Sequence, residues 1–116
     1  MSVVQHPNMK IKIADIIKSD LALFHQEGLD VYEFLKSSFD NKESFEMSFA
    51  GVKRCSTQFL NASVGKLYLD YDYALVDSLI SYDYAGLTIL KDKIVEVRDN
   101  AINSADYNSY VESALN

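Results

Sequence analysis

Residues 45–60, FEMSFAGVKRCSTQFL, predict a β-strand that leads through a turn into an α-helix. In residues 45–49 apolar side chains alternate with polar ones, the period of two expected for a strand with one buried face. From Phe59 onward apolar residues recur at steps of three and four, which is the spacing of a helix with one buried stripe. Ser56 and Thr57 precede that stripe as candidate N-caps, so we expect the helix to begin near residue 57.

On the N-terminal side, the sequence predicts another strand and another helix. Residues 9–13 alternate between apolar and Lys side chains, which indicates a strand. From Ser19 the rhythm becomes helical, and Gly28 either interrupts this helix or lets it approach another backbone closely. Its stripe consists of Leu21, Phe24, Gly28, Val31 or Tyr32, Leu35 and Phe39. A polar turn at residues 40–42 follows.

On the C-terminal side, we expect a short helical turn, a third strand at about residues 79–82 and a last helix. The last helix buries a stripe made of Leu87, Leu90, Ile94, Val97 and Ala101. Residues 107–115 are expected to form a final turn or a frayed helix. The order of elements predicts an α/β fold with a small, mostly parallel or mixed sheet of three to four strands and helices on one face. We expect one domain over residues 1–116, with a core at about 8–104 and a tail at 105–116.

The charge balance and the single cysteine exclude several classes of protein. The 17 acidic and 11 basic residues give a net charge of −6, which disfavours nucleic-acid and anionic-membrane binding because both require a positive field. Cys55 alone provides neither an internal disulfide nor a cysteine zinc site, which is typical of a reducing compartment. The sequence lacks a membrane-spanning run and a secretory signal, so we expect a cytoplasmic protein.

Metal binding and catalysis find little support in the sequence. His6, His25 and Cys55 have no recognised ligand spacing, and we expect neither a metal nor another cofactor. Cys55 and Ser56 have no histidine nearby in the sequence to serve as a base, and we expect no enzymatic activity. Four aspartates and five tyrosines interleave in residues 68–84. We interpret this acidic, Tyr-rich segment first as a solvated face and second as a protein-contact patch.

The turn before the second predicted helix is the strongest candidate site. It places Lys53 and Arg54 beside the hydroxyls of Ser56 and Thr57 at a helix start, where unpaired amides and positive partial charge tolerate a phosphate or an acidic partner group. Simple capping by Ser56 or Thr57 explains the same residues, and from composition alone it is the favoured interpretation.

The turn and the helix after it also carry a motif, in residues 49–52 (FAGV), 56–62 (STQFLNA) and 65–68 (GKLY). Together these segments resemble the STAS-like family of small bacterial domains, relatives of the anti-sigma-factor antagonists. Residues 79–82 (LISY) and 100–102 (NAI) are similar too, so that the resemblance covers roughly residues 8–104.

The resemblance implies a regulatory, non-enzymatic module that binds a protein partner through residues 51–60, the partner being of the ATP-binding anti-sigma kinase type. In the anti-sigma-factor antagonists a serine or threonine at this helix start is phosphorylated, and the position corresponds to Thr57. Ser56 stands where those proteins usually carry an acidic residue, and Gln58 replaces a small one. With Lys53 and Arg54, these residues form the expected phosphorylation and partner-binding site. A second hypothesis is a domain that binds a small ligand or nucleotide at the N-terminus of the same helix.

Overall fold

The computed structural model describes the backbone of residues 9–115 and the side chains of residues 9–104. In chain order the elements are β1 (Met9–Lys12), α1 (Ile13–Ile17), β2 (Leu21–Ala22), α2 (His25–Asp40), β3 (Phe45–Ser48), β4 (Arg54–Cys55), α3 (Thr57–Leu60), a π-helical segment (Asn61–Gly65), α4 (Lys66–Asp70), α5 (Tyr73–Leu79), β5 (Ile80–Asp83) and α6 (Leu90–Leu115). The segments from α3 to α4 follow one another without a break, and we call residues 57–70 the middle helix.

A three-stranded parallel sheet in the order β1-β3-β5 confirms the predicted α/β class. Its register aligns Ile11 with Met47 and Met47 with Tyr82, so that every second residue of each strand shares one face. Phe45 and Met47 on that face are fully buried in the hydrophobic core with the helices. The alternation seen in the sequence therefore reports this apolar face.

The opposite face of the sheet is polar. The Lys10 Nζ lies 3.5 Å from a carboxylate oxygen of Glu46, and the Ser48 hydroxyl donates a 2.9 Å hydrogen bond to Asp83 on the neighbouring strand. This hydrogen bond holds the pKa of the Asp83 carboxyl below its usual range. Fully parallel sheets usually have two apolar faces, whereas this sheet has only one.

Helix α2 packs against the middle helix at Gly28, which is buried. A Cβ added at Gly28 would lie 2.5 Å from the carbonyl oxygen of Phe59 and 2.6 Å from the Cβ of Ala62. Glycine is therefore required by close approach of the two backbones, which is the second of the alternatives that the sequence left open.

The predicted buried stripes are confirmed over most of their length. In α2 the residues Gly28, Val31, Tyr32, Leu35 and Phe39 are buried, and in α6 the residues Leu90, Ile94, Val97 and Ala101 are buried. The short helical turn corresponds to α5, and the third strand, β5, lies one residue later than expected. The backbone of α6 is helical through residues 107–115.

Three predicted boundaries are wrong. The last helix begins at Leu90, so that Leu87, which was counted in its buried stripe, precedes α6 and is only half-buried. The first strand ends at Lys12, because Ile13 begins α1. The helix expected from Ser19 begins at His25, because Leu21–Ala22 forms strand β2 and pairs in parallel with β4. Leu21 and Phe24, which were counted in the helical stripe, are 39% and 64% exposed. The pairing partner lies about thirty residues away, which is why local periodicity gave no sign of it.

We predict that Gly28→Ala destabilises the protein by about 1–3 kcal/mol, because the new methyl group would force two helix backbones apart. Gly65→Ala is the matched control and should cost less, since its Cβ would lie 3.1 Å from a side-chain carbon of Val97 rather than 2.5 Å from a backbone oxygen. Chemical denaturation measures both free energies of unfolding. A Gly28→Ala variant as stable as the wild type would contradict the close approach.

Candidate functional site

A tight turn connects the central strand β3 to the candidate site. Gly51 has a φ of +83°, a conformation that side-chain-bearing residues rarely adopt, and the buried Val52 donates its amide to the Phe49 carbonyl at 2.9 Å. The Lys53 amide then donates to the Asp20 carbonyl at 2.7 Å. The turn thus passes the chain from the main sheet to the small β2–β4 sheet.

The small sheet carries the two predicted cations at the surface. Lys53 is exposed, and its Nζ lies 3.3 Å from a carboxylate oxygen of Asp20. Arg54 is also exposed, and within the described part of the chain it forms no ion pair. Arg54 is therefore the cation most open to an added anionic group.

The two hydroxyl residues of the site have different environments. Ser56 is the N-cap: its Oγ accepts a 3.0 Å hydrogen bond from the Phe59 amide and donates a 2.7 Å hydrogen bond to the Leu23 carbonyl. Thr57 and Gln58 follow in the first turn of the middle helix and are exposed. The Ser56 hydroxyl holds the helix start to the segment before α2. The Thr57 hydroxyl, by contrast, makes no hydrogen bond with any side chain or backbone group of residues 9–104.

Cys55 lies between the cations and the cap and is not a reactive thiol. Burial raises its pKa to about 12, and the opposing effect of the nearby Lys93 is smaller. A thiol with that pKa is protonated at neutral pH, whereas nucleophilic cysteines require the thiolate. Its carbonyl accepts a 3.1 Å hydrogen bond from the Lys93 Nζ, which ties α6 to the small sheet.

A groove of about 410 Å³ adjoins this junction, and the sequence did not reveal it. Its apolar lining comes from Leu23, Cys55, Leu87, Ile89 and Leu90. Its polar lining comes from Lys53, Arg54, Ser56 and Lys93. The structure therefore brings the start of α6 beside four of the residues in the predicted site segment. Ile89 was the available signal, because it is apolar yet falls off the predicted helical stripe and is 62% exposed.

The acidic, Tyr-rich segment does not assemble a second site from its aspartates. Asp70 accepts a 2.5 Å hydrogen bond from Tyr32, Asp72 caps α5, and Asp83 accepts from Ser48. Asp77 binds Tyr68 and also Arg98 through Nε at 3.0 Å. The four carboxylates have separate partners and do not converge.

Phenol groups in this part of the fold are held protonated by their surroundings. Burial, together with the Asp77 carboxylate, raises the pKa of Tyr68, and burial also raises the pKa of Tyr82. Burial, together with the 2.8 Å hydrogen bond that the Tyr71 hydroxyl donates to Asp40, raises the pKa of Tyr71 to about 12. Several rings and carboxylates that looked like a surface patch in the sequence thus contact one another.

The remaining predictions concern metals and membranes. Among the described residues, no group of three or more His, Cys, Asp or Glu side chains converges as a metal site. His25 is exposed at the start of α2, and His6 lies outside the described residues. Over the part of the chain that was searched, no helix has the length and apolar character to cross a membrane.

Comparison with protein families places part of the chain in a described family. Residues 27–85 match the family described as a STAS-like domain of unknown function (DUF4325). This range contains α2 from its third residue onward, the central strand, the junction, the middle helix and β5. No curated protein and no solved structure matches the chain.

We predict that Ser56→Ala destabilises the protein by about 1–2 kcal/mol, because the Phe59 amide and the Leu23 carbonyl lose their shared partner. Thr57→Ala is the matched control and should change stability by less than about 0.5 kcal/mol, as expected for an exposed side chain. Thermal denaturation distinguishes the two variants. Equal losses for both would contradict the assignment of Ser56 as the cap.

We predict that the Asp77–Arg98 pair makes stability depend on pH. The Arg98 hydrogen bonds are the main reason that the pKa of Asp77 lies below its ordinary value. Their stabilisation is complete above the unfolded-state pKa of about 3.9 and is lost as the pH falls through the lower folded-state value. Asp77→Asn should therefore flatten the acid limb of unfolding free energy against pH. Exposed Glu96 is the control: a Glu96→Gln variant that flattened it equally would refute the assignment.

Proposed function

The chain belongs to the STAS-like domain family, and from that membership we propose that it is a non-enzymatic regulatory module that binds a protein partner through residues 51–60. The partner would be an ATP-binding kinase of the anti-sigma type, in a cytoplasmic setting. The observation that carries this proposal is the separation of roles at the junction. Ser56 holds the fold, while Arg54, Thr57 and Gln58 are exposed around it.

The same separation supports Thr57 as the phosphorylated residue. A phosphate on Ser56 would remove the hydroxyl proton that binds the Leu23 carbonyl and would crowd the cap. A phosphate on Thr57 would enter the first turn of the middle helix, where the dipole and backbone amides favour negative charge. Lys53 and Arg54 precede it closely in the chain and supply additional positive charge.

Phosphorylation would act on the partner through charge. A phosphate adds about −1.5 to −2 charge at neutral pH, enough to neutralise the exposed cation beside it. A partner that relies on Arg54 would then lose an attractive contact and face a like charge if its own surface is acidic. Because the fold does not depend on the Thr57 hydroxyl, binding would change while the domain stayed folded.

A nucleotide at this helix start is supported less well by the same contacts. The Ser56 Oγ already accepts the hydrogen bond of the Phe59 amide, so fewer free donors face an incoming phosphate. The adjoining groove is lined largely by apolar side chains, which suit a protein partner's apolar residue better than a sugar. We therefore favour a protein partner.

We predict that Thr57→Glu lowers recovery of the partner by about tenfold or more, which corresponds to about 1.4 kcal/mol of binding free energy. The full chain, tagged and expressed in its native host, is purified and its bound proteins are quantified by mass spectrometry. Ser37→Glu, a matched change at an exposed position of α2, should leave recovery unchanged.

A folding control accompanies this experiment. Glu at the first turn of a helix should stabilise it by about 0.3–1 kcal/mol, so Thr57→Glu should unfold at or slightly above the wild-type temperature. The proposal fails if the folded Thr57→Glu chain recovers the same proteins in the same amounts as the wild type and Ser37→Glu chains.

A further inference from the structure

The groove beside the junction combines apolar and cationic side chains in its lining. We propose that the partner docks there through an acidic amphipathic segment, with one apolar side chain in the groove and carboxylates against Arg54 and the neighbouring lysines. This inference rests on the proposed function, because it specifies the chemistry by which a protein partner would recognise the same surface.

The shape of the groove favours an apolar side chain presented by a larger molecule. Its volume of about 410 Å³ accommodates a large aliphatic or aromatic residue. At its edge Ile89 is 62% exposed, so a small ligand would remain in contact with water, whereas small-molecule sites usually bury most of their ligand. A docked protein segment would cover Ile89 as well as fill the groove, and removing this apolar area from water stabilises binding.

The positive charge of the groove favours a partner segment with negative charge. Its lining includes Lys53, Arg54 and Lys93 and no carboxylate, although the chain as a whole has a net charge of −6. Lys53 is balanced by Asp20, and Lys93 donates to the Cys55 carbonyl. Arg54 has no ion pair among the described residues and is the main cation available to a partner carboxylate.

The position of the groove connects this recognition to the proposed switch. Arg54 and Ser56 line the groove, and Thr57 is the next residue along the chain. A phosphate on Thr57 would compete for the positive charge of Arg54 and would repel an acidic segment in the groove. A basic partner segment, by contrast, would bind more tightly once Thr57 carried a phosphate.

Selection from a random peptide library displayed on phage tests the inference without knowledge of the partner. The folded full chain is immobilised, and the enriched peptides are synthesised and their dissociation constants measured. We expect enriched sequences in which Asp or Glu flank Leu, Ile or Phe. Arg54→Glu and Ile89→Asp should each weaken their binding by about tenfold or more, or about 1.4 kcal/mol.

Matched controls on α2 keep these variants interpretable. Lys36→Glu and Phe34→Asp make the same changes of charge and polarity at exposed positions away from the groove, and both should leave peptide binding unchanged. All four variants alter exposed side chains, and their thermal unfolding confirms that the fold is retained.

The outcomes separate this inference from the proposed function. Enrichment of basic or uncharged peptides, or acidic peptides that bind the Arg54→Glu chain as well as the wild type, would overturn it while leaving a partner at the junction possible. The absence of any enriched peptide would also overturn it. If sodium decanoate protected the wild type but not the Ile89→Asp chain from thermal unfolding, the groove would be assigned to a small amphiphile instead. Loss of native partner recovery on Thr57→Glu remains a separate measurement.

Discussion

The pairing of β2 with β4 is the constraint on which the candidate site depends. Two residues from each strand join in parallel, and the amide of Ser56 extends the ladder with a 2.9 Å hydrogen bond to the Ala22 carbonyl. The Ser56 hydroxyl then donates to the next carbonyl, that of Leu23. This short ladder fixes the start of the middle helix against the segment that leads into α2. The ladder thereby places the cations, the cap and the exposed Thr57 beside α2.

The parts of the fold that could be predicted are single strands and helices in which buried and exposed residues alternate with a regular period. Strand β3 shows its buried face through Phe45 and Met47, and α6 shows its stripe through Ile94 and Val97. The small sheet could not be predicted in this way, because two-residue strands have no period and their pairing joins positions far apart in the chain. Leu21 and Phe24 followed a helical spacing by coincidence, and tertiary pairing overrode it.

The candidate site shows the same division between local and long-range information. A helix start near residue 57 and a capping serine or threonine followed from residue types alone. Identifying Ser56 rather than Thr57 as the cap depended on the hydrogen bond to the Leu23 carbonyl. Finding the groove depended on the position of α6. Leu23 and α6 both lie far from the junction in the sequence. In the acidic segment Asp70, Asp72 and Asp77 are exposed, as its sequence indicated. The hydrogen bonds of Tyr68 to Asp77 and of Tyr71 to Asp40 could not be predicted, because each joins separate elements. The groove nevertheless carries three cationic residues on a chain of net negative charge.

Hydrogen–deuterium exchange is the most direct measurement of whether the junction and the groove form one docking surface. The full chain is compared alone and in complex with the protein that co-purifies with it from the native host. The account predicts added protection of backbone amides at residues 53–58 and 87–91, with little change on the exposed side of α2. Protection confined to α2 or to the polar face of the sheet, with residues 53–58 exchanging as in the free chain, would contradict it.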